Sequence, residues 1–147
     1  MNFRLIIDKT QAEEVVATVH ERSALTDSIE ALILEHSGQN KITAYTEYEL
    51  LQLSFDQIEC ITVLDGKTYA IDTKGRQLRL KHRLYELETM LPSNFIRINK
   101  SAIANETRLE KFTAAYSGAV NARFKCGYEE YVSRRCFASI KRRFNTK

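Results

Sequence analysis

The sequence predicts an antiparallel, mostly-β domain over residues 43–147, preceded by a small α or α+β element over residues 1–42. Three observations carry this. From Lys41 onward, short runs rich in Thr, Tyr, Val and Ile recur between turn residues, the spacing of an antiparallel fold. Two dipeptides, Asp65-Gly66 and Lys74-Gly75, lie between strand-like runs and indicate hairpins. Before Lys41, apolar residues recur at helical spacing instead.

Residues 3–7 read as a short strand, and Thr10 followed by Gln11, Ala12, Glu13 and Glu14 as a helix start with acids in its first turn. Val15, Val16, Val19, Ile29, Leu32 and Ile33 follow a helical period broken near residues 23–26. Two helices are therefore expected, ending near residues 36–40, where Gly38 offers a stop. Apolar helices with little bulk of their own must pack against something, so this element is expected to serve dimerisation or regulation. Strands then follow at residues 42–53, 58–64, 69–73 and 77–80; Leu84, Leu87, Met90 and Leu91 suggest a helix stopped by Pro92. Residues 95–98, 102–104, 109–114, 119–125 and 129–132 return to strands, punctuated by Asn99-Lys100-Ser101, Ser117-Gly118 and Cys126-Gly127. Ser133 is placed to cap a last helix with Phe137, Ile140 and Phe144 along one face.

Composition narrows the function. One Pro, five Gly and no biased tract argue for an ordered chain without a long linker. Cys60, Cys126 and Cys136 form no C-x-x-C pair, and their odd number fits a reducing cytoplasm. His20, His36 and His82 lack ligand spacing, so no metal is expected. There is no glycine-rich phosphate loop and no G-x-S-x-G, and Glu129 and Glu130 are neighbours in a strand, pointing to opposite faces. An enzyme, a cofactor and a small-molecule substrate are not expected. The N-terminus runs only three residues at a stretch without a charge, far short of a spanning segment of about 20.

Charge is segregated. Residues 1–42 hold four Lys/Arg against seven Asp/Glu, and residues 43–147 hold eighteen against twelve. Such an excess, densest at the chain end, is what a polyanion-binding surface needs. From Arg134 to Lys147 there are six basic residues and no acidic one. Arg134 and Arg135 fall in the first helical turn, facing the positive end of the helix dipole at a cost of about 0.3–1 kcal/mol each. A phosphate or a guanine edge would remove that conflict; solvation of two exposed arginines is the plainer alternative.

Two segments together resemble the LytTR DNA-binding family: Phe95-Ile96-Arg97-Ile98-Asn99-Lys100-Ser101-Ala102-Ile103-Ala104-Asn105, and Tyr131-Val132-Ser133-Arg134-Arg135 leading into the last helix, with Gly127 as the turn between. Asp56-Gln57-Ile58-Glu59 is similar to the family's opening strand, so the resemblance covers roughly residues 43–145. It implies small stacked sheets in an elongated β-rich fold, with loops inserted into the major groove. By position it implies DNA contacts at Lys67, Lys100 and Arg135, with Arg134 beside it and Asn99 standing where the family commonly has His. Arg79, Lys81, Lys141, Arg142 and Arg143 are candidates for holding the DNA backbone. Family members often carry a phosphorylatable receiver domain in front, and the 42 residues here are too few for one, so control through abundance, the N-terminal element or a binding partner is expected.

The expected partners are double-stranded DNA carrying promoter direct repeats and a second copy of the chain, at least on DNA. Similar short members are often paired with a small membrane protein that restrains them, which makes such a partner an expectation here. The alternatives are a protein-interaction module whose basic surface meets an acidic partner, reading by an N-terminal helix-turn-helix, and RNA binding on a β platform. The acidity of residues 1–42 opposes the second. Tyr45, Tyr48, Tyr69, Phe112 and Phe124 are not arranged as stacking pairs and are expected in the core, which opposes the third.

Overall fold

The computed structural model describes residues 1–37 and 40–145. The stop expected at Gly38, the charge of Lys147 and the side chain of Phe144 lie outside what is described. Helix α1 (Ala24–Ser37) leads into strands β1 (Lys41–Tyr45), β2 (Leu50–Ser54), β3 (Ile58–Leu64), β4 (Lys67–Asp72) and β5 (Gln77–Leu80). Helix α2 (Leu84–Met90) follows, then β6 (Phe95–Asn99), β7 (Ala102–Asn105), β8 (Leu109–Ala114), β9 (Val120–Phe124), β10 (Glu129–Val132) and helix α3 (Arg134–Asn145). A seven-stranded sheet runs in the order β2-β1-β5-β4-β3-β7-β6, and a three-stranded sheet in the order β10-β9-β8. Pairing is antiparallel throughout, as expected from the turn chemistry.

The local reasons are plain. Asp65 (φ 52°) and Gly66 (φ 75°) connect β3 to β4 with Leu64 facing Lys67, the two positive φ values of a type I′ turn, whose twist matches the strands it joins. Asp72, only 2% exposed, shapes the β4–β5 connection by accepting bonds from the backbone N–H groups of Lys74 (3.0 Å) and Arg76 (2.8 Å). Ser133 caps α3 as expected, its Oγ accepting from the Cys136 N–H at 3.2 Å.

The core has two halves, one on each face of the large sheet. Ile42, Leu53, Phe55, Ile61, Leu78, Leu80 and Ile103 meet Leu84 and Leu87 of α2 on one side. Ile71, Ile96, Ile98 and Ala104 meet Val120, Ala122, Phe124 and Val132 of the small sheet, with Ile140 of α3, on the other. A bulge between Ile58 and Cys60 turns Glu59 and Cys60 both toward the small sheet. There the fully buried Glu59 accepts from the Cys126 N–H at 2.8 Å and pairs with Arg108, so a buried charge ties the layers together instead of remaining unpaired. Among the aromatics expected inside, Phe124 is fully buried, whereas Tyr48 is 89% exposed.

The front of the chain differs from expectation. One helix forms, not two, and residues 1–23 contain neither the strand expected at residues 3–7 nor the helix expected from Thr10. The physical reason is a missing counterpart. A lone strand has no ladder partner, and a short helix carrying β-branched Val15, Val16 and Val19 is marginal without a surface on which to bury them. With a single helix there, the described residues of 1–37 contain no helix pair of the helix-turn-helix kind. No helix among the described residues is long and apolar enough to cross a membrane.

Candidate nucleic-acid interface

Three connections carrying basic side chains meet at one end of the molecule. The β3–β4 turn delivers Lys67, the first residue after the two-residue turn, exposed at the sheet end. Because Thr68 faces Leu80 across β4 and β5, the next residues outward, Lys67 and Lys81, lie side by side at that end. The β6–β7 turn delivers exposed Lys100 to the same end, since Thr62 of β3 faces Ala102 of β7 and the Val63 N–H donates to the Ser101 carbonyl at 2.9 Å. Helix α3 starts there too. The Ser133 N–H donates to the carbonyl of Ile98 at 2.9 Å, fixing the helix entry to the end of strand β6.

Side chains lock these connections together. Asn99, 8% exposed, donates from Nδ2 to the Tyr131 carbonyl (2.6 Å) and accepts at Oδ1 from the Ser101 N–H (2.7 Å). It therefore faces inward and joins the Lys100 turn to the strand that feeds α3. Its amide has the two-sided donor and acceptor capacity this bridge requires. Arg97 grips the turn from outside, with Nε on the Asn99 carbonyl (2.9 Å), Nη2 on the Lys100 carbonyl (2.7 Å) and an ion pair to Glu88 of α2. Thr62 adds a third tie, donating at 2.8 Å to Oε1 of Glu130, which also accepts from the Tyr128 hydroxyl at 2.9 Å. Burial, with the Glu130 charge beside it, pushes the Tyr128 hydroxyl well above the usual phenol range.

The first turn of α3 holds no acid. Arg134 and Arg135 are both exposed, so its free N–H groups and two guanidinium groups present one positive end to solvent. Arg134 arches over the β8–β9 turn, where its Nη2 would lie 3.6 Å from a Cβ at Gly118. Arg135 lines a groove with Ile96, Arg97, Ser139 and Arg143 between β6 and α3.

The residues expected to hold a DNA backbone divide. Lys81 stands at the basic end with its Nζ 4.7 Å from the Tyr45 ring centre. Arg79 is set back, half-buried, with its guanidinium 5.9 Å from the Tyr69 ring and Nε on the Leu80 carbonyl at 3.1 Å. Lys141 lies over Phe137 (5.8 Å), and Arg142 and Arg143 occupy the last turn of α3. Eight residues of helix separate Arg143 from Arg135, about 12 Å along the axis. Arg143 is paired with Glu106 at 2.7 Å, docking the helix end on the turn after β7.

Sequence reasoning gave no role to Arg97 or Tyr116. Arg97 stands two residues before Asn99, a spacing that brings both to the β6–β7 turn, but its partners lie in three elements. Tyr116 is fully exposed in the β8–β9 turn that Arg134 covers. Its only sequence signal is an aromatic next to Ser117-Gly118.

Comparison with known proteins places the fold. The profile of the LytTr DNA-binding domain matches residues 48–145. The chain is 30% identical to uncharacterized HTH-type transcriptional regulators of Staphylococcus aureus strains COL and Mu50 / ATCC 700699, over 99% of this chain and 99% of theirs. A solved LytTr DNA-binding domain from Bacillus cereus shares the fold with a TM-score of 0.63, covering 70% of this chain and 94% of its own at 21% identity. With the family profile spanning the whole basic end and the fold shared, the chain belongs to the LytTr DNA-binding domain family.

Proposed function

We propose that the chain is a sequence-specific, double-stranded DNA-binding regulator of transcription in the cytoplasm, reading the major groove with Lys67, Lys100 and the α3 start at Arg134 and Arg135. The observation that carries this reading is the meeting of three basic connections at one end, held by Asn99, Arg97 and the Ser133 to Ile98 bond. Backbone phosphates position such a surface, while side chains entering the groove read base edges. Lys81 and Lys141 are assigned to phosphates. Asn99 is assigned to holding the Lys100 turn, since both ends of its amide are engaged.

Two copies bind repeated half-sites about one helical turn apart, roughly 10–10.5 bp, so that both lie on one side of the duplex. The names of the staphylococcal relatives support a role in transcription. A small membrane protein that restrains the regulator remains part of this reading.

The test is selection of duplexes from a random pool by the full chain at about 0.15 M salt. A short motif repeated at one-turn spacing supports the reading. Salt-sensitive binding without a motif would overturn sequence specificity and leave a polyanion binder or a module for an acidic protein partner.

A further inference from the structure

Residues 1–23 hold the largest group of apolar side chains left in water. Phe3 is 90% exposed, Leu5 73%, Ile6 66%, Ile7 86%, Val15 61%, Val16 75% and Val19 39%; on α1, Leu25 (50%), Leu32 (66%) and Ile33 (39%) add to them. Exposed clusters of this kind mark interaction surfaces. The domain's own core has no place for them, because both faces of the large sheet are already covered by α2, the small sheet and α3. Among the described residues before Ser23, one backbone–backbone bond is made, from the Gln11 N–H to the Asp8 carbonyl at 3.4 Å. Residues 3–7 therefore keep a full row of unpaired donors and acceptors, which is a template for another strand.

We propose that the occupant is a second copy of this chain, pairing residues 3–9 antiparallel across a two-fold axis at Ile6. Charge selects the register. Centred on Ile6, Arg4 of each copy faces Asp8 of the other, Leu5 faces Ile7, and Ile6 faces itself. Moving the centre half a residue toward the C-terminus opposes Arg4 and Lys9, and half a residue the other way sets Asp8 against Phe3. Only the Ile6 register matches opposite charges twice and apolar residues three times, and opposite-charge and apolar pairs are what stabilise facing strands.

In this ribbon Phe3, Leu5 and Ile7 of both copies share one face, which Val15, Val16, Val19 and the exposed side of α1 are suited to cover. Counted at roughly 60–120 Å² of apolar area for each fully exposed side chain, the ten residues bring several hundred Å² per copy. That is the order of the roughly 800 Å² per partner of a stable interface. The match to the staphylococcal relatives covers 99% of this chain and so runs through this segment, whereas the DNA-binding profile begins only at residue 48. A contact independent of the DNA-reading end fits that division.

The test uses the full chain without DNA, so its outcome is separate from that of the DNA reading. Sedimentation should give a particle of twice the chain mass at micromolar concentration. Arg4→Asp should weaken association roughly tenfold, because two facing pairs turn from attractive to repulsive, and Arg4→Asp with Asp8→Arg should restore it. Asp8 also accepts from the Thr10 N–H and hydroxyl, so a second measurement stands beside the charge swap. Ile6→Cys should cross-link rapidly on oxidation as a self-facing pair, and Leu5→Cys should not. A monomer in the absence of DNA would overturn the proposal and direct the segment to another protein or a membrane surface. Equal cross-linking at both positions would overturn the register.

Discussion

The β domain and the first 23 residues treat their apolar side chains in opposite ways. Between β3 and β7, Ile58, Ile61, Ile71, Leu78, Leu80 and Ile98 are 1% exposed or less, and the polar groups buried with them, Glu59, Asp72 and Asn105, are each bonded. Asn105 gives Nδ2 to the Ile58 carbonyl and receives Asn94 and Thr107 at Oδ1. In residues 1–23, Phe3, Ile7 and Val16 keep at least three quarters of their surface in water. The contrast separates two routes to order. The Lys100 turn is held by bonds from several elements, while residues 1–23 leave their apolar surface and most of their backbone donors uncommitted.

The comparison breaks most sharply in stability. Phe124→Ala removes the largest buried side chain between the two sheets and should cost about 3–5 kcal/mol in denaturant unfolding. Val16→Ser should change the same midpoint by less than about 0.5 kcal/mol in the monomeric state. A Val16 effect approaching that of Phe124 would show that the front segment is packed on its own domain.

The next effect concerns the basic end. On a selected operator, Arg135→Ala should cost about 1–3 kcal/mol and relax preference at one base position, whereas Lys141→Ala should weaken every duplex alike and reduce the salt slope by about one unit. An unchanged operator affinity for Arg135→Ala would remove the helix start from the reading surface. Asn99→Ala sharpens the point about preorganisation. It leaves the Tyr131 carbonyl and the Ser101 N–H without their partner, so about 1–3 kcal/mol of stability should be lost, and operator affinity should fall although both ends of the amide are engaged within the protein.

The smallest effect is in pH. Tyr128 is held neutral by burial and by Glu130, so its folded-state pKa lies above the ordinary value of 10.0. Below that ordinary value both states are protonated and the preference costs nothing. As pH rises past it the unfolded chain ionises first, and stability should fall. Burial likewise raises the Cys60 thiol well above its ordinary 9.0, adding to the decline. Tyr128→Phe should flatten part of the alkaline slope while leaving the neutral-pH curve close in shape.

Much of this was legible from residue order. Hairpin turns are local, so Asp65-Gly66 located β3 and β4; helix ends are local, so Pro92 and Ser133 located α2 and α3. The positions that resembled the LytTR pattern also led to the right family, because those short motifs carry turn and cap residues whose geometry leaves little choice. The front of the chain misled for a related reason. Its apolar spacing was real, but periodicity states which side chains want burial without stating whether a surface for them exists in the same molecule.

The sequence by itself determined most strand and helix identities of the β domain, its antiparallel pairing through short turns, and the concentration of positive charge from Arg134 onward, since each depends on residues near one another in the chain. The run expected at residues 42–53 is instead two strands, Lys41–Tyr45 and Leu50–Ser54, folded back on each other through a turn that carries no glycine signal. Only the tertiary structure decided that Lys67, Lys100 and the start of α3 share one end, that Asn99 faces inward, that Arg97 clamps a turn and that Arg143 is tied to Glu106. Those facts depend on partners many residues apart, and the long-range bonds that bring them together are set by sheet order and layer packing, which no local pattern encodes.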